Sequence, residues 1–431
     1  MSLPPGIDRD GVVARDRRYL WPPYTSSDAH ERREPLVVVR GEGAWLYDAD
    51  GRRVLDGNAS WWTTALGHNH PRLVAALTRQ AGSLCHVAAG GITHAPMALL
   101  AEELCAAAPP GLERVHFSDD GSTAIEVATK VAFQYWQQNG RPERTRFLAL
   151  TGAYHGDTLG AASLASLDEF HAVFAPILFE VIRPPDPGEV DGWDRVVASV
   201  EATLKSRKDE IAALVVEPLV QGAGGMRMYP PALLRRLREA TEAADTFLIA
   251  DEVFTGFGRT GRMWACDHAE VTPDLLCVGK AFTGGVLPMA ATLATGRVYD
   301  GFRGGTERAL LHGHTFFGNP LGAAVAREVL AVYRDEGVVA QAEEKGRRMA
   351  AAVEALAGLP GVRRVRHLGM IAALDLGEGG YDGPAGWRVF DAALRRGAFL
   401  RPLGDTVYLT PPLTIPDDDL DRLLEIFAAA V

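Results

Sequence analysis

The fold is decided by the stretch Thr246-Phe-Leu-Ile-Ala-Asp-Glu-Val-Phe-Thr-Gly-Phe-Gly-Arg-Thr-Gly261, together with Asp274-Leu-Leu-Cys-Val-Gly-Lys-Ala-Phe-Thr-Gly-Gly285. Its two apolar runs, Phe247–Ala250 and Leu275–Val278, have the length of buried parallel strands. Asp251 directly follows the first run, and Lys280 stands two residues after the second. Because ligands of open α/β sheets bind outside the carboxyl ends of the strands, a carboxylate and an amine are expected to face one ligand.

Pyridoxal phosphate (PLP) needs a Schiff-base lysine and an acidic partner for its pyridinium nitrogen, and this pair meets both needs. A lysine after a strand is more often a solvated loop residue, so the pair alone does not establish the cofactor. Gly256-Phe-Gly-Arg-Thr-Gly261 also matches the dinucleotide pattern, but it starts too far from the strand and opens no helix. Ala281 stands where a phosphate-loop lysine would be followed by Ser or Thr.

Length and composition limit the classes of function. The 431 residues suffice for more than one domain, and a net charge of −11 without a basic stripe argues against nucleic acid or an anionic membrane as partner. Four cysteines without C-x-x-C spacing indicate free thiols in a reducing compartment. With no signal pattern and no run of membrane length, we expect a soluble, cytoplasmic protein.

Alternating strand and helix patterns between Val115 and Ala294 predict an α/β fold with a mostly parallel sheet flanked by helices. After Asn319-Pro320 the pattern changes to that of a smaller α+β domain. We expect an N-terminal segment (1–70) that joins the small domain, a large PLP-binding domain (71–318) and the small domain (319–431). Residues 1–35 are expected to be irregular, and Val362–Leu376 to be a β segment.

The turn before the helix at 123–138 is the candidate phosphate site. Gly121 and Ser122 would offer backbone N–H groups and a hydroxyl, and Thr123 and Glu126 have capping-box spacing. An ordinary capped helix is the competing interpretation. The spacings His68/His70 and His312/His314 could suggest a metal, but no third ligand is nearby, so no metal is predicted.

Asp251–Gly261 with Gly279–Gly285 resembles, without gaps, the signature of the class III PLP-dependent aminotransferases. The resemblance implies PLP-dependent transferase fold type I, a homodimer with shared active sites, and ping-pong chemistry. It implies that Lys280 is the Schiff-base lysine and general base, and that Asp251 protonates the pyridine nitrogen. It also implies the remaining cofactor contacts, namely Gly121 and Ser122 on the phosphate, Tyr154 over the ring, Val253 on the other ring face, and His314 and Thr315.

His312-Gly313-His314-Thr315 resembles the family's second phosphate contact, which reaches the partner subunit's site. The resemblance implies that Thr315 supplies its hydroxyl there. His314 departs from the Pro that is common in the family, and Asp120 departs from Ser or Asn before Gly121.

Within the family, the chain resembles the branch that acts in biotin synthesis on S-adenosylmethionine and 8-amino-7-oxononanoate. This resemblance is based on Trp21-Pro-Pro-Tyr-Thr25, Ser60-Trp-Trp-Thr-Thr64, Gln221–Tyr229 and Arg401–Pro412. It implies that aromatic walls contact the methylenes of the acceptor and Arg401 its carboxylate. The implied substrate contacts are Tyr24 (also a catalytic candidate), Trp61, Trp62, Tyr154, Asp157, Lys280, Gly313, Arg401 and Tyr408.

Several alternatives remain open from the sequence. The tryptophans could fill the core, and Arg401 could form a structural ion pair. Lysine could be the amino donor, or the substrate could be another ω-amine. A PLP-dependent decarboxylase or aminomutase, or a non-enzymatic protein of the same fold, would share much of the pattern.

Overall fold

The computed structural model describes residue 3 and residues 6–188, 192–377, 380–381 and 383–431. Its strands are β1 (Val38–Glu42), β2 (Trp45–Asp48), β3 (Arg53–Asp56), β4 (Leu112–Ser118), β5 (Arg146–Ala149), β6 (Val181–Ile182), β7 (Ile211–Val216), β8 (Val220–Gln221), β9 (Arg227–Met228), β10 (Phe247–Asp251), β11 (Leu275–Val278), β12 (Ala290–Thr295), β13 (Val362–Leu368), β14 (Ile371–Leu376), β15 (Ala398–Phe399) and β16 (Thr406–Leu409). Its helices are α1 (Arg9–Tyr19), α2 (Ser27–Arg32), α3 (Ala59–Trp62), α4 (Pro71–Ala81), α5 (Ala95–Ala107), α6 (Gly121–Gln138), α7 (Leu159–Leu164), α8 (Asp168–His171), α9 (Trp193–Arg207), α10 (Pro231–Ala243), α11 (Gly296–Asp300), α12 (Pro320–Asp335), α13 (Val338–Glu354), α14 (Ala385–Arg396) and α15 (Asp417–Ala430).

The central sheet has seven strands in the order β4-β12-β11-β10-β7-β5-β6. Strands β11, β10, β7, β5 and β6 run parallel, and β12 runs antiparallel to both β11 and β4. The predicted α/β class with a mostly parallel sheet is therefore confirmed.

Alternate residues of β10 pack into two different apolar clusters. Leu248 and Ala250 belong to the larger cluster, whereas Phe247 and Ile249 belong to the cluster that contains the buried face of α6. Since successive side chains of a strand point to opposite faces, a strand covered on both sides must be apolar throughout. This explains why the run Phe247–Ala250 contains no polar residue.

Three smaller sheets lie outside the central one, the third being the two-stranded pair β8-β9. The first has the order β1-β2-β3-β15, in which β15 pairs in parallel with β3 and so connects the N-terminal hairpin to the C-terminal part of the chain. The second has the order β13-β14-β16. These pairings support the expected assignment of residues 1–70 to the small domain, but the domain boundaries stay a prediction.

Two local predictions are wrong. Within the segment expected to be irregular, residues 9–19 form α1 and residues 27–32 form α2, and Asp8 and Ser26 cap their first turns; the prediction for residues 1, 2, 4 and 5 lies outside the described residues. These helices carry little apolar periodicity, because Val13 is the only buried residue among the described residues of the two. Val362–Leu376 is not one segment but the hairpin β13–β14, with Gly369 at φ +53° in the turn.

None of the helices in the described ranges combines the length and apolar character needed to cross a bilayer.

Candidate active site

The carboxyl ends of the parallel strands surround a cavity of about 470 Å³. Asp251 ends β10, Lys280 follows β11, Glu217 follows β7, and Tyr154 and His155 follow β5. The cavity is lined by Trp62, Asp120, Gly121, Ser122, Tyr154, His155, Gly156, Asp157, Thr158, Glu217, Ala223, Asp251, Val253, Phe254 and Lys280. Eight residues predicted as site residues from the sequence thus face one space.

A buried histidine holds the Asp251 carboxylate. The distance from His155 Nδ1 to Asp251 Oδ2 is 2.7 Å, and the backbone N–H of Val253 donates to Oδ1 at 3.1 Å. His155 Nε2 is buried without a partner among the described residues. These two contacts fix the orientation of the Asp251 carboxylate, and the contact with Asp251 holds the His155 ring in place.

Glu217 is a second buried carboxylate next to this pair. Its two oxygens accept hydrogen bonds from the backbone N–H groups of Tyr154 and Gly222, both at 2.9 Å. Burial, together with the negative charge of Asp251, raises the pKa of Glu217 to about 7, against the opposing effect of His155. Glu217 therefore titrates near neutral pH, unlike an exposed glutamate.

Lys280 has a strained backbone conformation, with φ +46°. It follows the extended Gly279 and is the first residue of a single 3₁₀ turn, Lys280–Thr283. Burial lowers the pKa of its amine, although the negative charges of Asp251 and Glu217 act in the opposite direction. Its Nζ lies 5.0 Å from the ring centroid of Trp62. A lysine with a lowered pKa spends more time as the neutral, nucleophilic amine.

The first turn of α6 approaches the Asp251 loop closely. A Cβ on Gly121 would lie 2.6 Å from Val253 Cγ1, and one on Gly156 would lie 1.7 Å from Ser122 Oγ. The Ser122 hydroxyl also accepts a hydrogen bond from the N–H of Asp157 at 2.7 Å. Only glycine at these two positions lets the helix N-terminus, with its unpaired N–H groups, border the cavity.

The predicted capping box is wrong in its partners. The box pairs Asp120 with Thr123: the Thr123 N–H donates to Asp120 Oδ1 at 2.9 Å, and the Asp120 N–H donates to Thr123 Oγ1 at 3.0 Å. Glu126 instead accepts from Thr158 Oγ1 and the N–H of Gly160, at 2.6 and 2.8 Å. Asp120 therefore acts as the N-cap, which gives its unusual carboxylate a structural role beside the cavity.

Tyr24, Tyr154 and Asp157 form a hydrogen-bonded cluster at the mouth of the cavity. The hydroxyls of Tyr24 and Tyr154 are 3.1 Å apart, and the Tyr24 hydroxyl donates to Asp157. Burial and the hydrogen bond to Asp157 raise the pKa of Tyr24, and burial and the hydrogen bond with Tyr24 raise the pKa of Tyr154. Although burial alone raises the pKa of Asp157, the His171 ring, whose Nε2 lies 3.8 Å from Asp157 Oδ1, and the hydrogen bond from Tyr24 hold that pKa below its usual value. The cluster is therefore two neutral phenols around one carboxylate.

Trp61 and Trp62 lie on one left-handed helical turn. All four residues of α3 have positive φ, between +45° and +71°. Such a turn costs about 1–2 kcal/mol per residue, and side-chain bonds offset part of this cost: Ser60 Oγ donates to the buried Asp56 at 2.7 Å. As a result Trp62 is buried against the cavity while Trp61 keeps 41% exposure.

Arg401 lies two residues after the end of β15. Because β15 pairs in parallel with β3, Arg401 lies beside the turn that follows β3. Its backbone N–H donates to Asn58 Oδ1 at 2.6 Å. The guanidinium carbon lies 5.3 Å from the Trp61 ring centroid and 5.5 Å from that of Trp387. Within the described ranges its guanidinium pairs with no carboxylate, so the structural ion pair considered from the sequence is not observed.

Seven predicted site residues are absent from the lining of this cavity, namely Tyr24, Trp61, Arg401, Gly313, His314, Thr315 and Tyr408. Gly313, His314 and Thr315 belong to the loop before α12 and are absent from the lining. In that loop the carbonyl of Gly313 accepts from His116 Nε2 at 3.0 Å, and the rings of His312 and His314 are 5.0 Å apart. Tyr408 is 1% exposed and lies behind Trp62, at a ring distance of 6.2 Å.

Three residues of the site were not assigned from the sequence: His155, Glu217 and Asn58. Glu217 follows the apolar strand β7 as Asp251 ends β10, so the same signal could have identified it. His155 and Asn58 carry no such signal, because their roles depend on contacts with Asp251 and Arg401, 96 and 343 residues away along the chain.

Among the described residues no group of three or more histidine, cysteine, aspartate or glutamate side chains is arranged to hold a metal ion.

Comparison with known proteins decides the family. The profile described as "Aminotransferase class-III" matches residues 26–431. The chain belongs to the class III aminotransferase family. An adenosylmethionine-8-amino-7-oxononanoate aminotransferase of Geobacter sulfurreducens is 42% identical, over 98% of this chain and 97% of the relative.

Two solved structures agree with this assignment. An adenosylmethionine-8-amino-7-oxononanoate aminotransferase from Methanocaldococcus jannaschii has a TM-score of 0.94 at 33% identity, covering 98% of this chain and 99% of that one. A PLP-bound amine transaminase from an uncultivated Pseudomonas species has a TM-score of 0.90 at 34% identity, covering 96% and 98%. The fold is therefore PLP-dependent transferase fold type I, as expected.

This class III aminotransferase is a PLP-dependent enzyme that acts on small molecules. The cavity fits the cofactor in three respects. It presents an amine of lowered pKa, a buried carboxylate fixed by a histidine, and a helix N-terminus freed by two glycines. These are the groups that the Schiff base, the pyridine nitrogen and the phosphate require.

We predict that Gly121→Ala weakens PLP binding about tenfold or more. The new methyl group would push Val253 or the first turn of α6 out of place, and overpacking of this kind costs about 1–3 kcal/mol. Quenching of tryptophan fluorescence on titration with PLP measures the effect. Gly358→Ala, which adds a methyl group in open space, is the matched control. Equal PLP affinity in the two variants would contradict the close approach.

Proposed function

We propose that the enzyme transfers the amino group of S-adenosylmethionine to 8-amino-7-oxononanoate, giving 7,8-diaminononanoate for biotin synthesis. The observation that supports this best is the guanidinium of Arg401, which has no carboxylate partner among the described residues and lies against the rings of Trp61 and Trp387. A long aliphatic acceptor with its amino ketone at Lys280 would extend past these aromatic rings and end at that charge. The name of the relatives points to the same substrates.

Bound PLP supplies an electron sink for the electron pair left on the donor carbon when a proton is removed. Lys280 is proposed as the general base whose Nζ takes this proton from the donor carbon; in the second half-reaction Nζ would deliver a proton to the acceptor carbon. Asp251, oriented by His155, keeps a proton on the pyridine nitrogen. Gly121 and Ser122 are proposed to bind the phosphate, with Tyr154 and Val253 on the two faces of the ring.

The remaining proposed contacts bind substrate. Tyr24, Tyr154 and Asp157 would hold the amino groups, since two phenols around a carboxylate offer both donors and acceptors. A sulfonium donor would also be favoured by the aromatic faces near Asp157. Trp61 and Trp62 are proposed to contact the methylenes, and Tyr408 to support Trp62 from behind.

A homodimer with shared sites is part of the proposal, as is a cytoplasmic location. Gly313, His314 and Thr315 lie outside the cavity of their own chain, which suits residues that serve a partner's site. Exposed apolar side chains flank them, with Leu311 at 71% and Phe316 at 54% exposure. Exposed apolar side chains on both sides of this loop are compatible with its burial in an interface between subunits.

The two half-reactions test the proposed substrates separately. S-Adenosylmethionine alone should convert the cofactor to its amino form, and 8-amino-7-oxononanoate should then restore the original absorbance spectrum. A spectrum that lysine changes and S-adenosylmethionine does not would replace the donor. An enzyme that uses neither 8-amino-7-oxononanoate nor S-adenosylmethionine as a substrate would overturn the proposal. Release of carbon dioxide without an acceptor would overturn it as well.

Arg401→Ala should raise the KM for 8-amino-7-oxononanoate about 10- to 100-fold, because a hydrogen-bonded charge contact contributes about 1.5–3 kcal/mol. Steady-state kinetics with Arg395→Ala, an exposed arginine of α14, provide the control for the loss of one positive charge. An Arg401→Ala enzyme with an unchanged KM for the acceptor would exclude Arg401 as the carboxylate site.

A further inference from the structure

A second arginine shares the aromatic support of Arg401. Arg33 is the C-terminal cap of α2, and its guanidinium carbon lies 3.8 Å from the ring centroid of Trp387 and 5.1 Å from that of Phe390. Arg401 approaches the same Trp387 ring at 5.5 Å. Two guanidinium groups are thus held against one indole, on the side of the molecule where Trp61 borders the mouth of the cavity.

Neither guanidinium is neutralised. In the parts of the chain that the structure describes, Arg33 and Arg401 form no ion pair, although Asp391 attracts Arg33 from a distance. Other arginines are paired, such as Arg327 with Glu103 and Arg72 with Glu328. The chain has 55 acidic and 44 basic residues, so carboxylates are not scarce. Within the described ranges, the two arginines that share the Trp387 ring therefore both have a guanidinium without a carboxylate partner.

The positive charges of Arg33 and Arg401 repel each other. Burial lowers the pKa of Arg33, Asp391 raises it, and the positive charge of Arg401 lowers it again. Two cations held near one ring repel each other, and Asp391 lies outside ion-pair distance of Arg33, so an anion bound between or beside the two guanidinium groups would relieve that repulsion. Trp387 stabilises both guanidinium groups through cation–π contacts, and the N–H edges of these groups remain available to donate hydrogen bonds to an anion.

We propose that Arg33 is a second specificity-determining residue, which together with Arg401 binds the terminal carboxylate of the aliphatic acceptor. This inference rests on the proposed function and extends its carboxylate site from one arginine to two. Arg401 is the inner contact, because Asn58 fixes its backbone beside Trp61. Arg33 is the outer, more exposed contact and acts mainly through its charge.

The segment that contains Arg33 also contacts the reacting end of the cavity. Tyr24 lies before α2 and bonds to Asp157, whereas Arg33 lies after α2 and packs on Trp387. The six residues of α2 span about 9 Å. The proposed amine contact and the proposed carboxylate contact thus lie on either side of one short helix, an arrangement that suits the two ends of a long aliphatic acid.

A purely structural role is the alternative. Arg33 could do no more than fasten α2 to α14 through Trp387. In that case its removal would disturb every substrate in the same way, whether or not the substrate is charged at its far end. A charge contact would affect only substrates with a carboxylate and would weaken as salt screens it.

Kinetics of Arg33→Ala with 8-amino-7-oxononanoate and with its methyl ester separate the two roles. We expect the KM for the acid to rise about fivefold, with little change in kcat and none in the KM for the ester. Arg33→Lys should recover part of the affinity, and the difference from wild type should shrink at high ionic strength. Arg388→Ala, an exposed arginine next to Trp387, is the matched control and should behave as wild type.

Three results would overturn the inference. The first is an equal KM for the acid in Arg33→Ala and Arg388→Ala. The second is an Arg33→Ala variant whose KM rises equally for the acid and for the ester. The third is an Arg33→Lys variant that recovers no affinity for the acid although its melting temperature is unchanged. A wild-type enzyme that does not use the acid at all would instead contradict the proposed function, and with it the inference.

Discussion

Parallel pairing of β10 with β11 is the constraint on which the rest of the site depends. In this register Asp251 lies opposite Cys277, so Lys280 emerges from the sheet just beyond Asp251. Strands β7 and β5 continue the same edge and add Glu217 and His155. Because all four strands run in one direction, four ionisable groups converge without any long side chain having to reach across the sheet.

Strained backbone surrounds this regular edge. Tyr24, Trp61, Trp62 and Lys280 all have positive φ, which costs of order 1–3 kcal/mol for a residue other than glycine. The surrounding structure holds them there: Asp56 bonds the α3 turn, and Asp157 bonds Tyr24. The strain directs these side chains towards one space instead of along the helices or strands that their local sequence would favour. The same arrangement brings Arg401, and beside it Arg33, to the outer rim.

The sequence predicted the parts of the fold that depend on local patterns. The sequence indicated the apolar runs of β10 and β11, the polar residues at their ends and the glycines of the α6 turn. Family resemblance then assigned the chemistry of these residues. The left-handed turn of α3 was not, since no local pattern favours four consecutive positive φ angles. The contacts of His155 with Asp251, and of Arg33 with Trp387, also escaped, because each joins residues far apart in the chain that only the folded sheet and helices bring together.

The most direct test of the central claim is to locate the lysine that holds PLP. The chain has five lysines: Lys130, Lys205, Lys208, Lys280 and Lys345. Borohydride reduction of the PLP-loaded protein followed by peptide mass spectrometry identifies the lysine to which the cofactor is bound. We predict one adduct, on the peptide that contains Lys280. An adduct on any of the other four lysines, or none at all, would contradict the convergence of Asp251 and Lys280 on the cofactor.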